Sequence, residues 1–154
     1  MLIDSNLARK LVNISENTGR EFVLIAYENG SRHLYKLGLN GGRFPIYSPN
    51  IKYVFHTHPV PRYTPSLADI ITAYNLSRIK GTPVPLYTAS TVGNNIVVYE
   101  IKIHPNADIN KIAEEIIPIE KIVAQNYEKY SKIQHYKMLS KPHITITRYL
   151  LSKY

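Results

Sequence analysis

The sequence predicts an α/β (α+β) domain in which a mixed central sheet is flanked by helices. Runs rich in β-branched and aromatic residues are joined by the turn signals at residues 29–30 and 92–95, which predicts two hairpins. The apolar run from Phe22 to Ala26 is nearly continuous, as expected for a strand covered on both faces. Helical periodicity in residues 4–17 and 66–80 predicts two helices that would cover these faces.

The N-terminal elements are predicted to be one helix followed by a hairpin. Asp4 or Ser5 can cap the helix over residues 4–17, and the dipeptide Thr18-Gly19 ends it. A strand from Glu21 to Tyr27 then turns at Asn-Gly, and a second strand from Arg32 to Leu39 returns beside it.

Residues 40–50 are predicted to be a loop, because they contain Asn-Gly-Gly and two prolines. Loops on a rigid scaffold often contact substrate, so Arg43, Phe44 and Tyr47 are candidates for holding an extended chain. A solvated connection between two strands is the alternative for each of them.

Two histidines follow the next predicted strand, which begins at Ile51. Alternation along a strand places His56 and His58 on one face and Thr57 on the other. Two imidazoles on one face can share a metal ion at about 2.0–2.1 Å from each nitrogen. The end of this strand is therefore a candidate metal site.

A carboxylate is predicted to return to the same place. The dipeptide Pro65-Ser66 has the character of a helix start, and Asp69 falls in the first turn, facing the strand end. Two histidines and one carboxylate leave a tetrahedral zinc ion one open position, which is the catalytic pattern. Each feature also has a plain interpretation, because Ser66-x-x-Asp69 is a capping box and a histidine at a strand end can be an ordinary polar residue. The two histidines, the serine and the aspartate occur together at this spacing, which favours a metal site over these plain interpretations.

The segment from His56 to Asp69 reads HTHPVPRYTPSLAD and resembles the signature of the JAMM (MPN+, JAB-domain) metalloproteases, which remove ubiquitin and ubiquitin-like proteins from their targets. The resemblance implies a cytidine-deaminase-like JAB/MPN fold and one zinc ion per chain, held by His56, His58 and Asp69. It also implies that Ser66 helps to hold the tetrahedral oxyanion. The resemblance covers residues 5–103 of a single domain over residues 1–154, and residues 104–154 are predicted to be a mostly helical extension.

The family also requires an upstream glutamate as general acid/base, and Glu21 is the best candidate. It opens the first predicted strand after the N-terminal helix, as the catalytic glutamate of the family does. Many family members carry a glycine shortly after this glutamate, whereas this chain has Leu24. A solvated residue at a strand start is the alternative for Glu21, and Glu28 and Glu16 are the other candidates for the base.

The C-terminal part follows two further strands, predicted from Val84 to Ala89 and from Ile96 to Ile103. Asn106 or Asp108 can cap a helix that runs to residue 117. Pro118 either starts a second helix or kinks a continuous one. Residues 143–149 are compatible with a strand or a helix.

Composition limits the partners and the kinds of metal site. The sequence has 19 Lys and Arg against 11 Asp and Glu, a net charge of +8, which favours acidic protein surfaces or nucleic acid without choosing between them. The absence of cysteine excludes disulfides and thiolate ligands. No apolar run approaches the length of a membrane span and no signal-peptide core is visible, so we expect a cytoplasmic protein without a membrane partner.

The resemblance implies hydrolysis of an isopeptide bond at the C-terminus of a ubiquitin-like protein, with that protein or its conjugates as partner. Another zinc hydrolase on the same scaffold would share every site residue. RadC-like proteins carry a related pattern, and the basic charge would suit a DNA-associated role, although nucleic acid is not the favoured partner. A non-catalytic MPN scaffold usually lacks metal ligands, and this sequence retains all three.

Overall fold

The computed structural model describes residues 1–38, 48–61, 65–125 and 143–154, without the side chains of residues 119 and 122–125. In the described residues the elements are α1 (Ser5–Thr18), β1 (Phe22–Tyr27), β2 (Arg32–Lys36), β3 (Ile51–Thr57), α2 (Leu67–Lys80), β4 (Leu86–Val92), β5 (Asn95–Ile103), α3 (Ile109–Gln125) and β6 (Ile144–Ser152). They form a six-stranded mixed sheet in the order β2-β1-β3-β4-β5-β6. Strands β3 and β4 are parallel, and the other neighbours are antiparallel. The predicted α+β class with a mixed sheet is confirmed.

Both faces of the sheet are covered by helices, which explains the continuous apolar run in β1. Val23 and Ile25 belong to a core cluster that also contains residues of α2 and α3. Leu24 and Ala26 belong to a second cluster that contains α1. Since successive side chains of a strand point to opposite faces, β1 needs apolar residues at every position.

Capping side chains and glycines set the ends of the first two helices. Asp4 caps α1, and its Oδ1 accepts hydrogen bonds from Asn6 N and Leu7 N at 3.0 and 3.1 Å. Gly19 ends α1 with a φ of 69°, and Gly81 ends α2 with a φ of 85°. Glycine reaches these positive φ values at little cost. The predicted ends of α1 and α2 agree with the structure to within one residue.

The C-terminal residues contribute a strand to the main sheet as well as a helix. Helix α3 continues through Pro118, so no second helix begins there. Residues 144–152 form β6, which pairs with β5 from Ile103↔Ile144 to Asn95↔Ser152 and so decides between the two alternatives for this segment. Within the described ranges no helix is long and apolar enough to cross a membrane.

Two neighbouring isoleucines of α3 test its packing against the sheet. Ile116 is fully buried, whereas Ile117 is 41% exposed. We expect Ile116→Ala to lower the free energy of unfolding by about 2–5 kcal/mol, because it removes buried methyl groups and leaves a cavity. Ile117→Ala, measured by the same denaturant titration, should cost less than half as much. Equal losses in the two variants would contradict this packing.

Candidate metal centre

Pairing of β1 with β3 brings Glu21 beside the two histidines. Val23 lies opposite His56 in the antiparallel register, so Glu21, two residues earlier, shares their face of the sheet. Its Oε2 lies 3.0 Å from Nε2 of His56, and its Oε1 lies 3.3 Å from Nδ1 of His58. One carboxylate therefore contacts both imidazoles.

Helix α2 brings a second carboxylate to the same imidazoles. Asp69 Oδ1 lies 3.6 Å from Nδ1 of His56, and its Oδ2 lies 3.6 Å from Nε2 of His58. The two imidazole centroids are 4.6 Å apart. Each histidine thus lies between two carboxylates, and the structure brings together four of the five residues that the sequence assigns to the site.

The fifth residue, Ser66, joins this cluster through Asp69. Ser66 is the N-cap of α2, and its Oγ accepts a hydrogen bond from the Asp69 N–H at 3.1 Å. In return, Asp69 Oδ2 accepts a hydrogen bond from the Ser66 N–H at 3.1 Å. The serine hydroxyl still carries a hydrogen that it can donate. The capping box is therefore real, and its carboxylate also faces the histidines.

Thr57 is a further residue of the site, and sequence analysis assigned it no role. Its buried Oγ1 accepts a hydrogen bond from the Phe22 N–H at 2.9 Å. Phe22 directly follows Glu21, so this bond holds the start of β1 against β3. Strand alternation placed Thr57 on the face opposite the imidazoles, but it did not reveal which group the hydroxyl would meet.

Burial and charge govern protonation in the cluster. Hydrogen bonds from His56 and His58 lower the pKa of Glu21 to about 2. Burial raises the pKa of Asp69, but hydrogen bonds from the same histidines outweigh it and hold that pKa well below its usual range. Burial lowers the pKa of His56, but Asp69 and Glu21 outweigh it and raise that pKa to about 9. At neutral pH the metal-free cluster therefore contains two carboxylates and a protonated His56.

The donor set can hold a metal ion. Among the described residues, Glu21, His56 and His58 each offer one ligand atom, and these atoms lie within 4.8 Å of one another. Tetrahedral ligands with bonds of about 2.0–2.1 Å are separated by about 3.3 Å, close to the distances between Glu21 and the imidazoles. Sequence analysis assigned the third ligand to Asp69 and the base to Glu21. Glu21 belongs to the compact group, while Asp69 lies beside both imidazoles from the α2 side.

The other candidate residues lie elsewhere. Glu28 forms an ion pair with Lys80, and Glu16 accepts a hydrogen bond from the Thr91 hydroxyl at 2.8 Å. Neither glutamate is part of the metal-capable group. The three predicted substrate-contacting residues lie outside the described residues: Arg43, Phe44 and Tyr47.

Comparisons of the chain with protein-family models, curated proteins and solved structures find no match. The features of this chain that bear on its function are the motif from His56 to Asp69 and the geometry of the cluster.

Removal of the Thr57 hydroxyl should loosen the start of β1. Thr57→Val keeps the shape of the side chain but leaves the buried Phe22 N–H without its acceptor, so we expect a loss of about 1–3 kcal/mol in the free energy of unfolding. Hydrogen exchange at the Phe22 amide, followed by NMR, should accelerate. Thr57→Ser retains the hydroxyl and should keep that amide protected. Unchanged protection in Thr57→Val would show that the hydroxyl does not hold β1.

The raised pKa of His56 predicts how metal affinity depends on pH. A metal must displace the His56 proton at any pH below about 9. Its affinity should therefore rise about tenfold per pH unit between pH 7 and 9, because binding releases that proton. An imidazole with an ordinary pKa of about 6.5 would give no such rise above pH 7. Zinc titration against a competing chelator measures the slope.

A matched variant checks the cause of this slope. Glu21→Gln removes one of the two negative charges that raise the His56 pKa. The rise in affinity should then end at a lower pH. A flat profile above pH 7 in the native chain would mean that His56 carries no proton there.

Proposed function

We propose that this chain is a zinc-dependent metallopeptidase of the JAMM (MPN+, JAB-domain) type. It hydrolyses an amide bond, with the isopeptide at the C-terminus of a ubiquitin-like protein as substrate. The observation that carries the proposal is that two carboxylates and two imidazoles lie together at the end of β3. Each of the four imidazole nitrogens lies 3.0–3.6 Å from a carboxylate oxygen. A mixed sheet covered by helices on both faces supports the proposed JAB/MPN fold.

In this proposal His56, His58 and Asp69 hold the zinc ion. Imidazole nitrogen and carboxylate oxygen are ordinary zinc donors, and the cysteine-free sequence offers no thiolate in their place. When bound, zinc supplies Lewis acidity and lowers the pKa of a coordinated water molecule to about 7.

Glu21 is the proposed general acid/base. Its carboxylate lies beside both imidazoles, where it can accept a proton from the attacking water. Its side chain is 23% exposed, compared with 6% for His58, so it lies on the more accessible side of the cluster. The same carboxyl group then donates the proton to the departing amine.

Ser66 is the proposed oxyanion donor. Its Oγ is fixed by the hydrogen bond from the Asp69 N–H, and its hydroxyl hydrogen can be directed to a developing negative charge. Ser66 also lies at the N-terminus of α2, where the helix dipole favours negative charge.

The ubiquitin-like substrate follows from the family resemblance. A net charge of +8 adds a general attraction for acidic protein surfaces. One observation favours a second candidate, a metal-independent binding scaffold: the carboxylates and imidazoles of the cluster already pair with one another.

Metal content and turnover of site variants test the proposal. We expect about one zinc ion per native chain, and its loss in His58→Ala and Asp69→Asn, because each variant removes a ligand. Glu21→Gln should keep zinc but lose turnover of an isopeptide-linked substrate by about 10²–10⁴-fold, because it removes the base. Glu28→Gln changes a glutamate at the far end of β1 and should alter neither quantity.

The outcomes separate the alternatives. Loss of zinc in Glu21→Gln together with its retention in Asp69→Asn would exchange the roles of the two carboxylates. A native chain that holds no stoichiometric zinc after incubation with the metal would overturn the proposal and favour the scaffold. Salt-dependent DNA binding by that chain would support the RadC-like alternative.

A further inference from the structure

A carboxylate of α3 contacts the first turn of the helix that carries Asp69. Oε1 of Glu120 accepts a hydrogen bond from the Leu67 N–H, although the two residues are 53 positions apart. Leu67 is the first residue of α2, directly after the N-cap Ser66. The bond therefore joins α3 to the turn that presents both Ser66 and Asp69.

This bond adds to the capping of α2. The first N–H groups of a helix have no acceptor within the helix itself. Ser66 Oγ accepts from the Asp69 N–H, and Glu120 accepts from the Leu67 N–H. A negative charge at this end also interacts favourably with the helix dipole. The first turn is thus fixed both from within and from α3.

We propose that Glu120 is a positioning residue for the metal centre. By holding the first turn of α2 against α3, it sets the position of the Asp69 carboxylate relative to the two imidazoles. A metal ligand must be held within about 0.5 Å of its productive position, so a looser turn binds metal more weakly. This inference rests on the proposed function, in which Asp69 is a zinc ligand.

Metal affinity of the 154-residue chain tests the role of the acceptor, Glu120, with zinc and cobalt(II) as probes. Glu120→Ala should weaken zinc binding by about tenfold, as expected for residues that orient metal ligands. Glu120→Gln offers a neutral oxygen that can accept the same hydrogen bond, so it should restore nearly native affinity and the native visible spectrum of bound cobalt. Glu114→Ala, at an exposed position of α3, is the matched control and should leave affinity unchanged.

The donor side of the bond gives an independent variant. Leu67→Pro removes the N–H, and proline is well tolerated at the first position of a helix. Ser66 already has the extended backbone that a following proline requires, with φ of −82° and ψ of 163°. Leu67→Ala removes the side chain but keeps the N–H. Relative to Leu67→Ala, Leu67→Pro should lose about as much zinc affinity as Glu120→Ala loses relative to the native chain, and the two losses should not add.

Each outcome has one meaning. Native zinc affinity in both Glu120→Ala and Leu67→Pro would overturn the positioning role while leaving the proposed metal site in place. Equal weakening in Glu120→Ala and Glu120→Gln would also overturn it, because the effect would then come from charge. A native chain that binds no zinc would overturn the proposed function and this inference together. Melting curves of the metal-free variants establish that each one is folded at the temperature of the titration.

Discussion

The register of β1 against β3 is the constraint on which the candidate site depends. Val23 pairs with His56, and this pairing places Glu21 on the face of the sheet that carries both imidazoles. A slip of one residue would turn every side chain of β1 to the opposite face. The core itself protects the register, because each face of β1 packs against a different apolar cluster. The Thr57 hydroxyl extends the pairing to Phe22, directly beside Glu21.

Mutual pairing is what allows these ionisable groups to lie in a largely buried position. An isolated buried charge would be strongly unfavourable, so such groups shift their pKa or find a partner. Here both carboxylates have lowered pKa values and His56 has a raised one, since each ion stabilises its neighbours. The two carboxylates make a positive charge between them favourable. A proton on His56 supplies one positive charge, and a divalent cation would supply two.

Local signals predicted the first two helices and five of the strands, whereas β6, the course of α3 at Pro118 and contacts between distant residues were harder to predict. Caps and glycines defined α1 and α2, and the two-residue spacing placed both histidines on one face. Strand β4 was predicted from Val84 to Ala89 but runs from Leu86 to Val92, and Ser90 is buried within it. On α2, Ile70 is fully buried, its neighbour Ile71 is 38% exposed, and Asp69 is buried beside the imidazoles. The hydrogen bond from Leu67 to Glu120 has no local signature at all.

Asp69 shows why a capping motif and a metal motif need not be competing explanations. A parallel connection from β3 to β4 requires a crossover, here α2, whose N-terminus lies near the end of β3. A carboxylate at the third position of that helix can accept the Ser66 N–H with one oxygen and still face the imidazoles. The cap restricts the rotation of the side chain, so the Asp69 carboxylate is held facing the imidazoles. Helix capping therefore stabilises the fold and prepares the site through the same atoms.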